Sequence, residues 1–365
     1  MAILKSLVRQ EWSLLLSYGS LVAVLLLGDA MRSDCDHPGE VALYFSWLFI
    51  VILITAFNVV RHAEALAEIL GEPYGTLILT LSVIGLEVMM IATVMVTGDD
   101  VPTIARDTMF GVLMIVMNGL FGLAIFAGAW KHRQQEFNVQ SSTAYIGMLI
   151  LLIGVGMFLP HFMSGAVAKS FHIMLIVVGA VLYGIFLWVQ IFEHRGFFEY
   201  RNAQGKLVDK PHDHAEHGVV YHSVVLLLTL IPVVLLAKSL AQVMDTGLVI
   251  LSAPPQLVGL VVAILILAPE GVAAVRAGMN NNLQRSVNIC LGSGLATIGL
   301  TIPVVLIIGL LTGERVVLGL EPAEMVLIAI SLLLLKTNLE SGRTNILMGA
   351  IFMALFAVYI ALIFI

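Results

Sequence analysis

The fold is decided by two apolar stretches, GTLILTLSVIGLEVMMIATVMVTG at residues 75–98 and LVGLVVAILILAPEGVAAV at residues 257–275, each holding one carboxylate, Glu87 and Glu270. Between Glu72 and Asp99 the only charged residue is Glu87, and between Asp245 and Arg276 it is Glu270. A run of about 20 apolar residues is long enough to cross the hydrocarbon core of a bilayer. An acid inside such a run is expensive unless it is paired or lines a watery path, so it marks function. Two of them, one in each half of the chain, point to one shared site.

The rest of the composition agrees with a bilayer as solvent. The chain is 60% hydrophobic and 12% charged, whereas soluble domains are about half apolar and about a quarter charged. The sequence therefore describes an all-α polytopic membrane protein, since a bilayer leaves only helices or closed barrels to satisfy the backbone. Cys35 and Cys290 are too far apart in sequence to suggest a disulfide framework. The net charge of -6 comes without a basic run, which argues against nucleic acid as a partner. After MAILKSLVRQEW the first apolar segment shows no small-residue cleavage pattern, so it is expected to stay as a helix.

Eleven spans follow, near 12–31, 39–61, 73–98, 105–130, 142–163, 170–193, 218–239, 255–278, 284–312, 321–336 and 342–364. With the N-terminus in the cytoplasm, 13 of the 18 Lys and Arg residues fall in inside connections, the bias that sets orientation. The C-terminus is then external. The central connection EHRGFFEYRNAQGKLVDKPHDHAEHG, 193–218, is cytoplasmic. It divides the chain into residues 1–32, holding an extra first helix, a first five-helix repeat at 39–193, the His-containing loop at 194–217, and a second repeat at 218–365. An odd number of helices per repeat makes the second enter the membrane with opposite polarity. Such inverted repeats place ion sites near the midplane, at the repeat interface.

The α-repeats 73–130 and 255–312 correspond position by position. Glu87 and Glu270 lie on the second helix of each set. On the third, Asn118 follows Arg106 in RDTMFGVLMIVMNG, and Thr297 follows Arg285 by the same interval in QRSVNICLGSGLAT. At 1.5 Å per residue, Glu87 is about 18 Å from Asp99 and about 22 Å from Glu72, near mid-bilayer. Pro269 precedes Glu270, and proline kinks or breaks a helix and frees carbonyls that can face a cation. Gly292 is a second candidate for a break or a close approach.

Facing carboxylates with neutral oxygens suit a hard cation; calcium takes about six to eight oxygens. Thr80, Ser82, Asn118, Ser293 and Thr297 are the candidate neutral ligands, and Glu72, Asp107 and Glu324 are auxiliary titrating groups. Two close acids in a low dielectric cannot both stay ionised once the ion leaves, so cation and protons compete for one site. That competition is antiport. No cofactor is needed beyond the transported ions, and the expected partners are the lipid bilayer, inorganic cations and protons. A different class, a cation channel or a membrane sensor, would use His212, His214 and His217 in the central loop. HAEAL at 62–66 is not the zinc-protease HExxH, and no nucleophile and base pair argues for an enzyme.

Four stretches, LGEPYGTLILTLSVIGLEV (70–88), ILAPEG (266–271), NNNLQRSVNICLGSGLATIGLTIPVV (280–305) and SGRTNILMGAIFMALFAVYI (341–360), resemble the calcium/cation antiporter superfamily, and within it the bacterial ChaA-type sodium/calcium and proton antiporters. The resemblance implies cation/proton exchange in a bacterial inner membrane, with one acid per repeat at the ion site, here Glu87 and Glu270. It also places the family's LGS on Leu291, Gly292 and Ser293, and its late polar residue on Asn118. The sequence departs from the family's GNAxE, since Val83, Ile84, Gly85 and Leu86 precede Glu87 and LILAP precedes Glu270. Two amide ligands are absent, which leaves sodium and potassium beside calcium as substrates.

Overall fold

The computed structural model describes residues 11–33, 37–71, 74–97, 102–163, 165–193, 195–198, 217–313 and 315–364. Among them are eleven long helices: α1 (Trp12–Ser33), α2 (Pro38–Leu70), α3 (Tyr74–Thr97), α4 (Ile104–His132), α5 (Val139–Phe162), α6 (Gly165–Trp188, continued by a π turn over Val189–Glu193), α7 (Val219–Leu251), α8 (Gln256–Met279), α9 (Leu283–Thr312), α10 (Pro322–Glu340) and α11 (Ile346–Ile363). Nine are long and apolar enough to cross a bilayer, and α1 and α3 add shorter apolar stretches, Trp12–Leu26 and Leu81–Thr93. The chain is a multi-pass membrane protein with one helix for each expected span. In the expected division the first is extra, and α2–α6 and α7–α11 would be the two sets of five.

Runs of Leu, Ile, Val and Ala fix these helices because every backbone N–H and C=O is satisfied inside the segment. Their starts are written in polar caps. Asn138 Oδ1 accepts from Gln140 N at 2.8 Å, Asn282 Oδ1 from Arg285 N at 3.2 Å, and Asn345 Oδ1 from Leu347 N at 3.0 Å. Helix α9 ends at Gly313, whose φ of 81° suits a residue without a Cβ.

Two boundaries differ from expectation. Helices α2 and α7 each run for 33 residues, past the expected ends at 61 and 239. Arg61, Glu64 and Glu68 close the apolar window of α2, as Lys238 and Asp245 do for α7, but charged side chains do not interrupt a helical backbone. At about 50 Å, both helices exceed the roughly 30 Å hydrocarbon core, so their ends extend beyond it. The second difference is a two-stranded ribbon, β1 (Gln134–Glu136) antiparallel to β2 (Arg343–Asn345), clasped by Arg343 Nε to Glu136 Oε1 at 3.1 Å.

The chain forms two compact units. Unit 1 takes 1–101 and 213–268, hence α1, α2, α3, α7 and the first half of α8; unit 2 takes 102–212 and 269–365. Each therefore draws on both five-helix sets. In unit 1, α2 packs along α7 and α3. In unit 2, α4 packs against α11 and α9, α5 against α10, and α6 against the second half of α9. The α4–α11 crossing is closest at two glycines. A Cβ on Gly349 would lie 2.6 Å from Phe126 N, and one on Gly122 2.8 Å from Phe352 Cβ.

Candidate cation site

Glu270 sits in the half of α8 that belongs to unit 2. The helix runs from Gln256 to Met279 with Pro269 inside it, so the expected break at Pro269 does not occur. An apolar helix packed on its neighbours tolerates the missing N–H, which leaves the carbonyl four residues earlier, on Leu265, without its helical donor. Gly292 likewise lies within an uninterrupted turn of α9, where a Cβ would meet the Tyr145 side chain at an ordinary 3.7 Å. The other glycine here is more constrained. A Cβ on Gly271 would stand 2.7 Å from Leu120 Cδ2, so α8 approaches α4 closely just beyond Glu270.

The carboxylate of Glu270 accepts a hydrogen bond from the Ser293 hydroxyl. Its Oε2 is buried and has no hydrogen-bond partner among the described residues. Ser286 Oγ donates to Ala274 O at 2.7 Å and fastens α9 to α8, one turn after Glu270 and two turns before Ser293. A buried oxygen with no donor is costly in apolar surroundings, and a cation is the natural complement.

The third helix of each set contains a π turn. In α4 it covers Ile115–Leu120 and in α9 Thr297–Thr301. Such turns are rare and cluster at functional sites, because they re-register the backbone and expose groups the α pattern would pair. Asn118 and Thr297, the residues matched by spacing, both fall in them and are both fully buried. Asn118 Nδ2 donates to Ser331 Oγ of α10 at 2.9 Å, while Asn118 Oδ1 is buried without a partner among the described residues. Thr297 Oγ1 donates to Ser293 O at 3.0 Å. The two helices touch where a Cβ on Gly294 would lie 3.2 Å from Val116 Cγ2. Unit 2 thus joins Glu270, Ser293 and Thr297 across α8 and α9, and holds Asn118 on α4, which packs against both helices at Gly271–Leu120 and Gly294–Val116.

Two further residues belong to this neighbourhood and were not singled out from sequence. Thr301 closes the α9 π turn with a buried Oγ1 that has no partner among the described residues, and Ser331 holds Asn118. Ser331 is a lone hydroxyl in an apolar run, whose only sequence signal is that isolation, and Thr301 repeats Thr297 one helical turn later.

Glu87 belongs to unit 1, on α3, and is 2% exposed. Ser82 is half-buried on the same helix; Thr80 is helical, and its side chain lies outside what is described, as does Glu72. Asp107 and Glu324 are committed to contacts of their own. Arg106, itself buried, donates from Nε to Asp107 Oδ1 at 2.8 Å and from Nη1 to Gly319 O at 3.0 Å. Glu324 accepts from Glu321 N at 2.8 Å in the capping box that opens α10.

His212 and His214 lie outside the described residues, and His217 stacks on Tyr221 with ring centroids 4.2 Å apart. Beside His217 unit 1 holds a polar knot. His62 Nδ1 and His222 Nδ1 are 2.9 Å apart, which requires one proton between them. Glu11 receives Arg61 Nη2 at 2.8 Å and the Tyr221 hydroxyl at 2.8 Å, and lies 3.2 Å from His62 Nε2. Burial alone would raise the Glu11 carboxyl; hydrogen bonds from His62 and Tyr221 and the Arg61 charge outweigh it and hold the group at about 2.

A profile of the sodium/calcium exchanger protein family matches residues 40–192 and 221–365. The sodium-potassium/proton antiporter ChaA of Escherichia coli K12 is 39% identical over 98% of this chain and 97% of its own length. The Ca2+/H+ antiporter ChaA of Bacillus subtilis is 24% identical over 87% and 90%. Among solved structures, native YfkE shares the fold, with a TM-score of 0.75 at 20% identity over 96% of this chain and 99% of that one.

Proposed function

Because the chain belongs to the sodium/calcium exchanger protein family, we propose that it is a secondary transporter which exchanges a cytoplasmic hard cation for external protons by alternating access across a bacterial inner membrane. The N-terminus is cytoplasmic and the C-terminus external in this reading. Glu87 and Glu270, the acids of equivalent helices in the two repeats, carry the cation in one state and protons in the other. Asn118, Ser293 and Thr297 supply neutral oxygens, and the polypeptide needs no cofactor.

The observation that carries this reading is Glu270 itself. A carboxylate in a stretch with no other charge, with one oxygen held by Ser293 and the other buried without a donor among the described residues, has the chemistry of a site filled by a transient cation. A structural acid would be paired with Arg or Lys, as Asp107 is.

Calcium, sodium and potassium are the candidate cations. The 39% relative bears a sodium-potassium name, and the 24% relative a calcium name. The absent GNAxE amides also remove oxygens from a calcium shell. Both points favour the monovalent ions, and calcium is the second reading, supported by the hard, oxygen-only donor set.

Everted vesicles with an acidic lumen provide the test. Added cation should dissipate the pH gradient, and a series of sodium, potassium and calcium ranks the substrates. Glu87→Gln and Glu270→Gln should each abolish exchange in protein that still inserts. Exchange at the normal rate in either variant rejects that residue's assignment, and cation flux without proton countermovement favours the channel.

A further inference from the structure

Ser331 lies on α10, outside the four helices of the α-repeats, and is the only hydroxyl between Pro322 and Lys336. It is fully buried. A serine hydroxyl has one proton to give and two lone pairs. The Ser331 proton has a good acceptor one turn back on its own helix, the carbonyl of Leu327 at 2.9 Å, while the Met114 sulfur is distant at 3.9 Å and a weak acceptor. With the proton spent on Leu327, Ser331 Oγ faces Asn118 as an acceptor only.

That accounting fixes the Asn118 amide. Its Nδ2 meets Ser331 Oγ at 2.9 Å, and the same nitrogen stands 3.7 Å from Met114 Sδ. Turning the amide by half a rotation would put two buried oxygens in contact with no proton between them, which is costly. The amide oxygen is therefore forced to the opposite side, where it is buried and has no donor among the described residues. The π turn places the Cα of Asn118, and α10 decides which end of its amide points inward.

We propose that Ser331 is a positioning residue for the cation site: it acts through Asn118, holding Oδ1 toward the ion and so setting cation affinity. The proposal rests on Asn118 being a ligand. A side chain that had to choose its orientation at each cycle would bind more weakly, and Ser331 removes that choice before the ion arrives.

The experiment measures sodium-driven and calcium-driven proton efflux in everted vesicles. Ser331→Ala should raise the KM for cation about fivefold, the scale of one neutral hydrogen bond, with the maximal rate held. Ser331→Cys keeps the volume while offering a poor acceptor, so it should raise KM in the same way even where the alanine variant folds badly. Ser331→Thr keeps the hydroxyl and its bond to the carbonyl one turn back, and should restore KM. In an Asn118→Ala background, Ser331→Ala should add nothing.

Opposite results separate the two ideas. If Asn118→Ala leaves KM unchanged, the ligand assignment fails and this inference falls with it. If Asn118→Ala raises KM while Ser331→Ala and Ser331→Cys do not, the ligand stands and the positioning role is wrong. A loss of thermal stability or maximal rate at constant KM in both Ser331 variants would mean Ser331 only packs α10.

Discussion

Ser293 on α9 donates its hydroxyl proton to the carboxylate of Glu270 on α8, so the same oxygen that would ligate a cation also orients the acid. This double duty makes Ser293 sensitive to truncation. Ser293→Ala should raise the KM for cation about tenfold, as expected for a hydrogen bond to a charged group. Initial rates of vesicle exchange over a cation series check this, and an unchanged KM would remove Ser293 from the site.

Gly271 and Gly278, two turns apart on one face of α8, should respond differently to the same added methyl. At Gly271 the new Cβ meets the free end of Leu120, the last residue of the π turn that carries Asn118. Leu120 can swing aside, so Gly271→Ala is expected to slow exchange severalfold while thermal stability stays close to wild type. At Gly278 the obstacle is the backbone carbonyl of Ala124, and overpacking should cost about 1–3 kcal/mol. Comparing exchange rate with the detergent melting midpoint for both variants tests the distinction.

Arg106 neutralises a buried acid. Arg106→Gln leaves Asp107 in place without its guanidinium and should cost about 3–5 kcal/mol, seen as a large fall in melting midpoint. Adding Asp107→Asn should recover much of the loss, because the uncompensated charge is then gone. If the double variant melts no higher than the single one, the pair is not the source of the stability.

Glu11 gives a pH dependence whose direction is fixed by its partners. Its carboxyl is held at about 2 against an ordinary 4.5, so the ionised form is favoured by the fold. The contribution is fully present above 4.5 and disappears as pH falls toward 2. Glu11→Gln should therefore melt below wild type at neutral pH, with the gap narrowing as pH falls below 4.5. Parallel melting curves at pH 7 and pH 3.5 measure it, and a gap independent of pH would show that the ionised carboxylate contributes nothing.

Much of this molecule is legible in its residues because the bilayer simplifies the code. Long apolar runs must be helices, so the spans and the two isolated acids can be found by inspection. The equal spacing of Asn118 from Arg106 and of Thr297 from Arg285 falls on the π turns of α4 and α9, although nothing in the composition of IVMNGL or TIGLT announces that geometry. Helix ends beyond the hydrocarbon are harder to read, since past Arg61 and Lys238 polarity ceases to report on the backbone. The Glu11, His62 and His222 knot depends on α2 meeting α7, and the Ser331 bond on α10 meeting α4 across 213 residues. Such contacts are decided by packing, for which single hydroxyls and histidines carry no local pattern.

The glycine crossing of Gly122 and Gly349 has a mechanical meaning. Side chains normally act as bearings between helices, letting one slide or roll against the other. At this crossing backbone meets side-chain root and backbone with nothing between, and the β1–β2 ribbon rivets the end of α4 to the start of α11. The two helices have neither clearance to slide nor slack to part, so they form a single stiff beam. Any rocking stroke in unit 2 must carry the beam whole, and the Asn118 amide travels with it.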